Sequence, residues 1–187
     1  MDKPPSHRLV AGILALGLTS VLPSQTQACG YDMLVGDPFA LAWPGTLDIA
    51  IATAGAISAK TIDPIPALTG GEGFVRAQQW LLQLKDQLQR ADQPGGFSIL
   101  LVDSGLWSKM RGKEVLLLQL HSPSPTPRDR VVLVSEAGLN ALLTRQISVD
   151  QALRLGVLSL PQDPDHQLGP HLRQALAPTD ADSSKTG

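Results

Sequence analysis

The chain opens with a basic stretch, Lys3, His7 and Arg8, and passes into an apolar run from Leu9 to Leu22 (LVAGILALGLTSVL). Pro23 then starts a polar stretch that ends in Thr26, Gln27 and Ala28. Basic, apolar and small-residue segments in that order read as a secretory signal peptide over residues 1–28. The run is shorter than the roughly 20 residues a membrane span needs, so the pattern predicts a removable leader rather than a permanent anchor. Residues 29–45 (CGYDMLVGDPFALAWPG) keep no regular period and are punctuated by Pro38, Pro44 and Gly45, which predicts an irregular N-terminal segment.

From Thr46 to Lys60 the period becomes helical. Thr46 suits the cap and Asp48 the first turn, and Leu47, Ala50, Ile51, Ala54 and Ile57 recur at helical spacing. The segment is apolar nearly all round and so predicts a buried helix, although Gly55 and the isoleucines leave a strand open. Pro64, Pro66 and Gly70-Gly71-Glu72-Gly73 predict a loop. Phe74 to Ala91 is cleaner: Phe74, Ala77, Leu81, Leu84 and Leu88 fall on one face, with Arg76, Gln79, Gln83, Lys85, Gln87 and Arg90 elsewhere. That is an amphipathic helix, ended by Pro94-Gly95-Gly96.

Beyond Gly96 the period shortens. Phe97–Val102 and Val115–His121 read as strands, separated by a turn or short helical segment carrying Trp107 and Met110. The prolines of residues 122–129 (SPSPTPRD) exclude that stretch from a sheet interior. Val131–Val134 is a third strand. Ser135 opens a helix with Leu139, Leu142 and Leu143 inward, and Ser148-Val149-Asp150-Gln151 is a capping box for a short helix closed by Gly156. Val157–Leu160 is a last strand before Pro161. From Gln162 the chain is rich in Pro, Asp and Ser, which predicts a largely disordered tail, 162–187, with one weak helix near His171 to Ala177. The reading is one α+β domain over residues 46–161.

The segment VVLVSEAGLNALLTRQISVDQALRLGVLSL, residues 131–160, resembles the C-terminal part of sterol carrier protein 2-like domains, and residues 97–160 follow that family more loosely. Ser148, Ala152, Leu153, Gly156 and Leu158 stand where the family has a capped helix, a glycine stop and a closing strand. Arg145-Gln146 and Pro161-Gln162-Asp163 depart from its usual glycines. The resemblance implies a mostly antiparallel sheet of four to five strands packed with helices on one face, and an apolar cavity for acyl chains or sterols. Phe74, Trp80, Leu84, Leu101, Trp107 and Leu117 are the residues expected to line such a cavity; Trp80 and Trp107 also suit plain packing. Residues 29–60 are similar only to exported bacterial proteins of unassigned function that begin Cys-Gly-Tyr.

Composition narrows the chemistry. Losing Asp2, Lys3 and Arg8 with the leader moves the formal charge from −2 to −3, and no basic stripe remains, which argues against nucleic acid. Hydrophobic residues make up 43% of the chain but aromatics only 4%, so the core is expected to be aliphatic. Cys29 is the only cysteine and cannot form an internal disulfide. Cleavage after Ala28 exposes it as the new terminus. Thr26 and Ala28 fit ordinary signal-peptidase cleavage and periplasmic or secreted export; lipidation of Cys29, the alternative, makes a membrane-anchored lipoprotein. Cys29 and Met33, with Asp32, also offer donors for a soft metal ion.

Catalytic patterns fail on spacing. Val102-Asp103-Ser104-Gly105-Leu106 lacks the flanking glycines of a nucleophile elbow. In Gly71-x-Gly73, Arg76 occupies the third glycine's place of a dinucleotide fingerprint. His121, His166 and His171 form no close pair. No cofactor is expected. The expectation is an exported, non-catalytic accessory protein that binds an apolar ligand, an acyl or isoprenoid chain, or an envelope protein partner. A redox or metal-handling role for Cys29 and a structural module of a larger complex are the alternatives.

Overall fold

The computed structural model describes residues 43–68, 70–91, 96–112 and 114–177. The predicted leader, the 28/29 junction with Ala28 and Cys29, and Met33 lie outside them. Helix α1 spans Thr46–Ser58 and α2 Gly70–Arg90. Strands β1 (Phe97–Leu101), β2 (Leu106–Arg111), β3 (Leu117–Leu120) and β4 (Val131–Val134) follow. Helices α3 (Glu136–Leu143) and α4 (Val149–Leu155), strand β5 (Leu158–Gln162) and helix α5 (Leu168–Ala175) complete the order.

The fold is α+β. One five-stranded sheet has the order β3-β2-β1-β4-β5. Only the central pair β1–β4 is parallel; the other neighbours are antiparallel. Both central strands are buried along their whole length, because each face of the sheet carries a layer. On the inner face Phe97, Ile99, Leu101, Leu106, Met110, Val132, Val134 and Leu158 pack against Ala77, Leu81, Leu84 and Leu88 of α2 and against α3, α4 and α5. On the outer face Leu100, Val131 and Leu133 meet Ile49 of α1, with Trp43, Val102 and Trp107 beside them. The core is aliphatic, as its composition implies.

The region read as a turn or helical segment around Trp107 and Met110 is a strand. Leu106, Ser108 and Met110 point to the main core while Trp107, Lys109 and Arg111 point outward. A serine on the inner face and a tryptophan on the outer one hide the alternation. Helix α1 is also not the buried helix its composition predicts. Ile49, Thr53 and Ala56 are buried, whereas Leu47 is 59% and Ile51 63% exposed. Its cap is Gly45, in the left-handed region at φ 93°, and Thr46 is the first helical residue.

The expected tail belongs to the domain as far as residue 177. Strand β5 runs through Pro161, which an edge strand tolerates because one side of it needs no ladder bond. The Asp163 carboxylate then accepts from the Leu168 N–H at 3.1 Å, capping α5. Leu168 and Leu172, one turn apart, are buried against α2 and α4. Arg173 of α5 reaches Asp150 of α4 at 2.7 Å. This is the weak helix expected near His171 to Ala177; it starts earlier, at Leu168, and Leu168, Leu172 and Leu176 hold it in the core.

The short helices form where their caps lie. Ser135 accepts from the Gly138 N–H at 2.9 Å, and Ser148 with Gln151 closes both arms of the capping box. Gly156 ends α4 at φ 77°, in the left-handed region where glycine avoids the strain of a Cβ.

Candidate functional site

The carboxyl ends of the parallel strands β1 and β4 bring three charged side chains together beneath the first turns of α2. The tight turn after β1 supplies Asp103, the start of α3 supplies Glu136, and α2 supplies Arg76. Asp103 turns its carboxylate onto the Glu136 N–H, so it occupies a free amide of a helix N-terminus from another element. The Glu136 side chain, 3% exposed, receives the Arg76 guanidinium at 3.1 Å. Arg76 also donates to the Pro66 carbonyl and lies over the Trp80 ring, 5.0 Å from its centroid. One cation thus serves the Glu136 carboxylate, a loop carbonyl and an aromatic face.

Burial of the Asp103 carboxylate is the largest influence on it and raises its pKa above the usual 3.8; the neighbouring Glu136 charge acts in the same direction. The Glu136 N–H and Arg76 pull the other way without reversing the shift. Ser104 Oγ, Ser122 Oγ and Arg76 Nε are buried without a hydrogen-bond partner among the described residues. Phe74, near the start of α2, stacks on His121 at 5.1 Å. The arrangement makes Asp103 a weaker acid than an exposed aspartate and ties α2, the β1–β2 turn and α3 together.

Arg76 and Asp103 stand out in the sequence only as misfits to other motifs, the dinucleotide fingerprint and the nucleophile elbow. Glu136 carried no signal of its own. A glutamate at the first position of a helix ordinarily faces solvent, and only the approach of α2 over α3 buries this one.

The six residues expected to line an apolar cavity do not converge. Leu84 and Leu101 are 2% and 0% exposed and fill the main core. Phe74 and Trp80 are half-buried at its margin. Trp107 projects from the opposite face of the sheet, where it meets Trp43 edge-on at 5.4 Å. Leu117, on the outer face of edge strand β3, is 66% exposed. The period-2 geometry of strands dictates this split: Trp107 and Leu101 occupy positions of opposite parity in paired strands, so they cannot share a face.

A second feature lies on α1. Leu47, Ala50, Ile51, Ala54, Gly55 and Ser58 are exposed and recur at the spacing of one helix face. The opposite face holds Ile49 against the sheet. Among the described residues no group of three or more His, Cys, Asp or Glu side chains is placed to hold a metal. No helix among them is long and apolar enough to cross a membrane. Comparison with protein-family profiles, with curated proteins and with solved structures finds no match to the chain.

Proposed function

We propose that the protein is an exported, non-catalytic accessory module that docks an envelope protein partner on the outer face of α1. The observation that carries this reading is the exposed stripe led by Leu47 and Ile51, on a helix whose other side is anchored to the sheet. Withdrawing a side chain of that size from water contributes about 1.5–3 kcal/mol. Two such residues on a rigid helix, flanked by alanines and glycine that permit close approach, suit an apolar partner surface. The export half rests on the leader-like pattern of residues 1–28.

The sterol carrier protein 2-like resemblance remains a proposal for the scaffold. A mostly antiparallel sheet with four helices on its inner face supports it, whereas α1 on the outer face departs from what it implies. The partner half of the expected role has more support than the ligand half, since Leu84 and Leu101 fill the core and Trp107 and Leu117 lie elsewhere.

The test is a photo-crosslinking residue introduced at Ile51 and, separately, at Gln83, an exposed polar position of α2, in the native cell envelope. A discrete adduct of one partner at 51 and none at 83 is the expected result. Equal labelling at both positions, or none at 51, overturns the proposal.

A further inference from the structure

Among the described residues the exposed large hydrophobics fall into two groups. Leu47 and Ile51 lie on α1, whereas Val75, Leu82, Val115 and Leu117 surround the edge strand β3. Hydrogen-bond alternation decides which backbone groups of β3 are spare. The Ser98 and Val102 N–H groups donate to the Arg130 and Val134 carbonyls on the β4 side, so Phe97, Ile99 and Leu101 bond β2. Trp107, whose carbonyl accepts from the Ser122 N–H, then faces β3 with Lys109 and Arg111, and Gln119 and Leu117 face back. Leu116, Leu118 and Leu120 therefore point out of the sheet. The Gln89 side chain accepts from the Leu116 N–H at 2.6 Å and donates to the Glu114 carbonyl at 2.7 Å. Leu118 and Leu120 keep N–H and C=O groups with no ladder partner among the described residues. Helix α2 flanks this opening, with Phe74 stacked on His121 at one end and Gln89 on residues 114–116 at the other. Val75, Leu82 and Gln89 recur every seven residues along one line of α2, so two exposed apolar side chains border the free edge. The other edge strand, β5, is blunted by Pro161, whereas β3 (LLQL) carries neither proline nor charge.

We propose that β3 pairs antiparallel with β3 of a second copy of the chain, about a two-fold axis through Gln119, joining two sheets into one. Leu118 then faces the second copy's Leu120, and Leu120 its Leu118, each pair exchanging both N–H···O bonds. Moving the axis to Leu118 calls on the Leu116 N–H, which Gln89 already holds. Gln89 closes the opening at one end, and His121, in the left-handed region at φ 49°, ends the strand at the other. The slot thus takes a strand no longer than β3 itself, which is why a second copy fits it. The same symmetry brings the two α2 helices side by side on the inner face, where they cover Val75 and Leu82. The strip is about 22 Å long, the rise of α2 from Phe74 to Gln89. That is short for a permanent interface, so the dimer is a weak, concentration-dependent one. The stripe of α1 lies on the opposite face of the sheet, and this inference stands independently of the proposed partner.

The test is analytical sedimentation of the full chain carrying Cys29→Ser, which removes disulfide-linked association. A dimer that grows with concentration is expected. Gln119 is exposed and stands beside its own counterpart at the axis, so its replacement leaves the fold intact. Gln119→Lys and Gln119→Glu, each added singly, oppose like charges there and weaken association at least about tenfold, with circular dichroism unchanged. An equimolar mixture of the two variants restores the dimer. A chain that stays monomeric at every concentration overturns the pairing. An association that either variant leaves at full strength overturns it as well, and places the contact elsewhere on the molecule. A mixture that fails to recover the dimer overturns the two-fold axis at Gln119.

Discussion

Arg76 and Glu136 meet at 3.1 Å across the junction of α2 and α3, with the glutamate almost wholly withdrawn from water. A pair in that setting costs more to break on one side than to remove altogether, because a buried charge left alone keeps its desolvation penalty. Arg76→Ala is expected to lower unfolding stability by about 3 kcal/mol. The double variant Arg76→Ala/Glu136→Gln is expected to recover part of that loss. Urea midpoints of the two variants check the ordering.

Asp103 carries a pKa raised by burial. Just above the usual 3.8 the folded protein holds this proton while the unfolded chain has released it, so stability falls as pH rises through that window. Asp103→Asn removes this contribution and can still accept from the Glu136 N–H. The melting temperature of Asp103→Asn relative to the parent protein is expected to climb with pH across that range and level off above it.

Asp129 behaves in the opposite sense. Its hydrogen bond from Lys109, then those from Thr126, lower its pKa to about 2. Its contribution is therefore complete above the usual 3.8 and is lost as pH falls toward 2. Because Asp129 ties the proline loop to β2 and accepts from the Thr126 N–H at 2.8 Å, acid is expected to release that loop. The amide shift of Thr126 should titrate with a midpoint near 2, and Asp129→Asn should abolish the transition.

Two glycines inside helices are expected to respond oppositely to alanine. A Cβ at Gly55 meets open space, so Gly55→Ala should stabilise by about 0.5–1 kcal/mol through helix propensity. A Cβ at Gly138 would stand 2.8 Å from Ser135 Oγ and 3.1 Å from the Val157 carbonyl oxygen. Gly138→Ala should cost about 1–3 kcal/mol, the range for forcing extra volume into a packed site. Thermal unfolding of the pair decides it.

Local signals carried much of this fold. The 3.6-residue period of α2 named its inward residues, Phe74, Ala77, Leu81, Leu84 and Leu88; the last four are buried, and Phe74 is half-buried at the margin of the core. Ser148 with Gln151 and Gly156 marked both ends of α4 where they fall. The failures share a cause, since each element's role depends on what packs against it from afar. Strand β2 hides because Ser108 is buried inside and Trp107 faces out. Helix α1 carries apolar residues all round, so its pattern could not say which side would remain open. The cluster of Asp103, Glu136 and Arg76 joins residues from three separate elements, and nothing in the spacing of an acid at 103 and an arginine at 76 announces their meeting.

Strand β4 lies between β1 and β5, and every one of its residues is buried. As the chain leaves the ribosome, α1, α2 and the first three strands emerge well before Val131. Until it arrives, the β1 edge and the part of α2 that meets α3 and α5 have no cover. A nascent chain of that length exposes both a strand edge and an oily surface, so it is the stage at which misassociation threatens and a chaperone has most to hold.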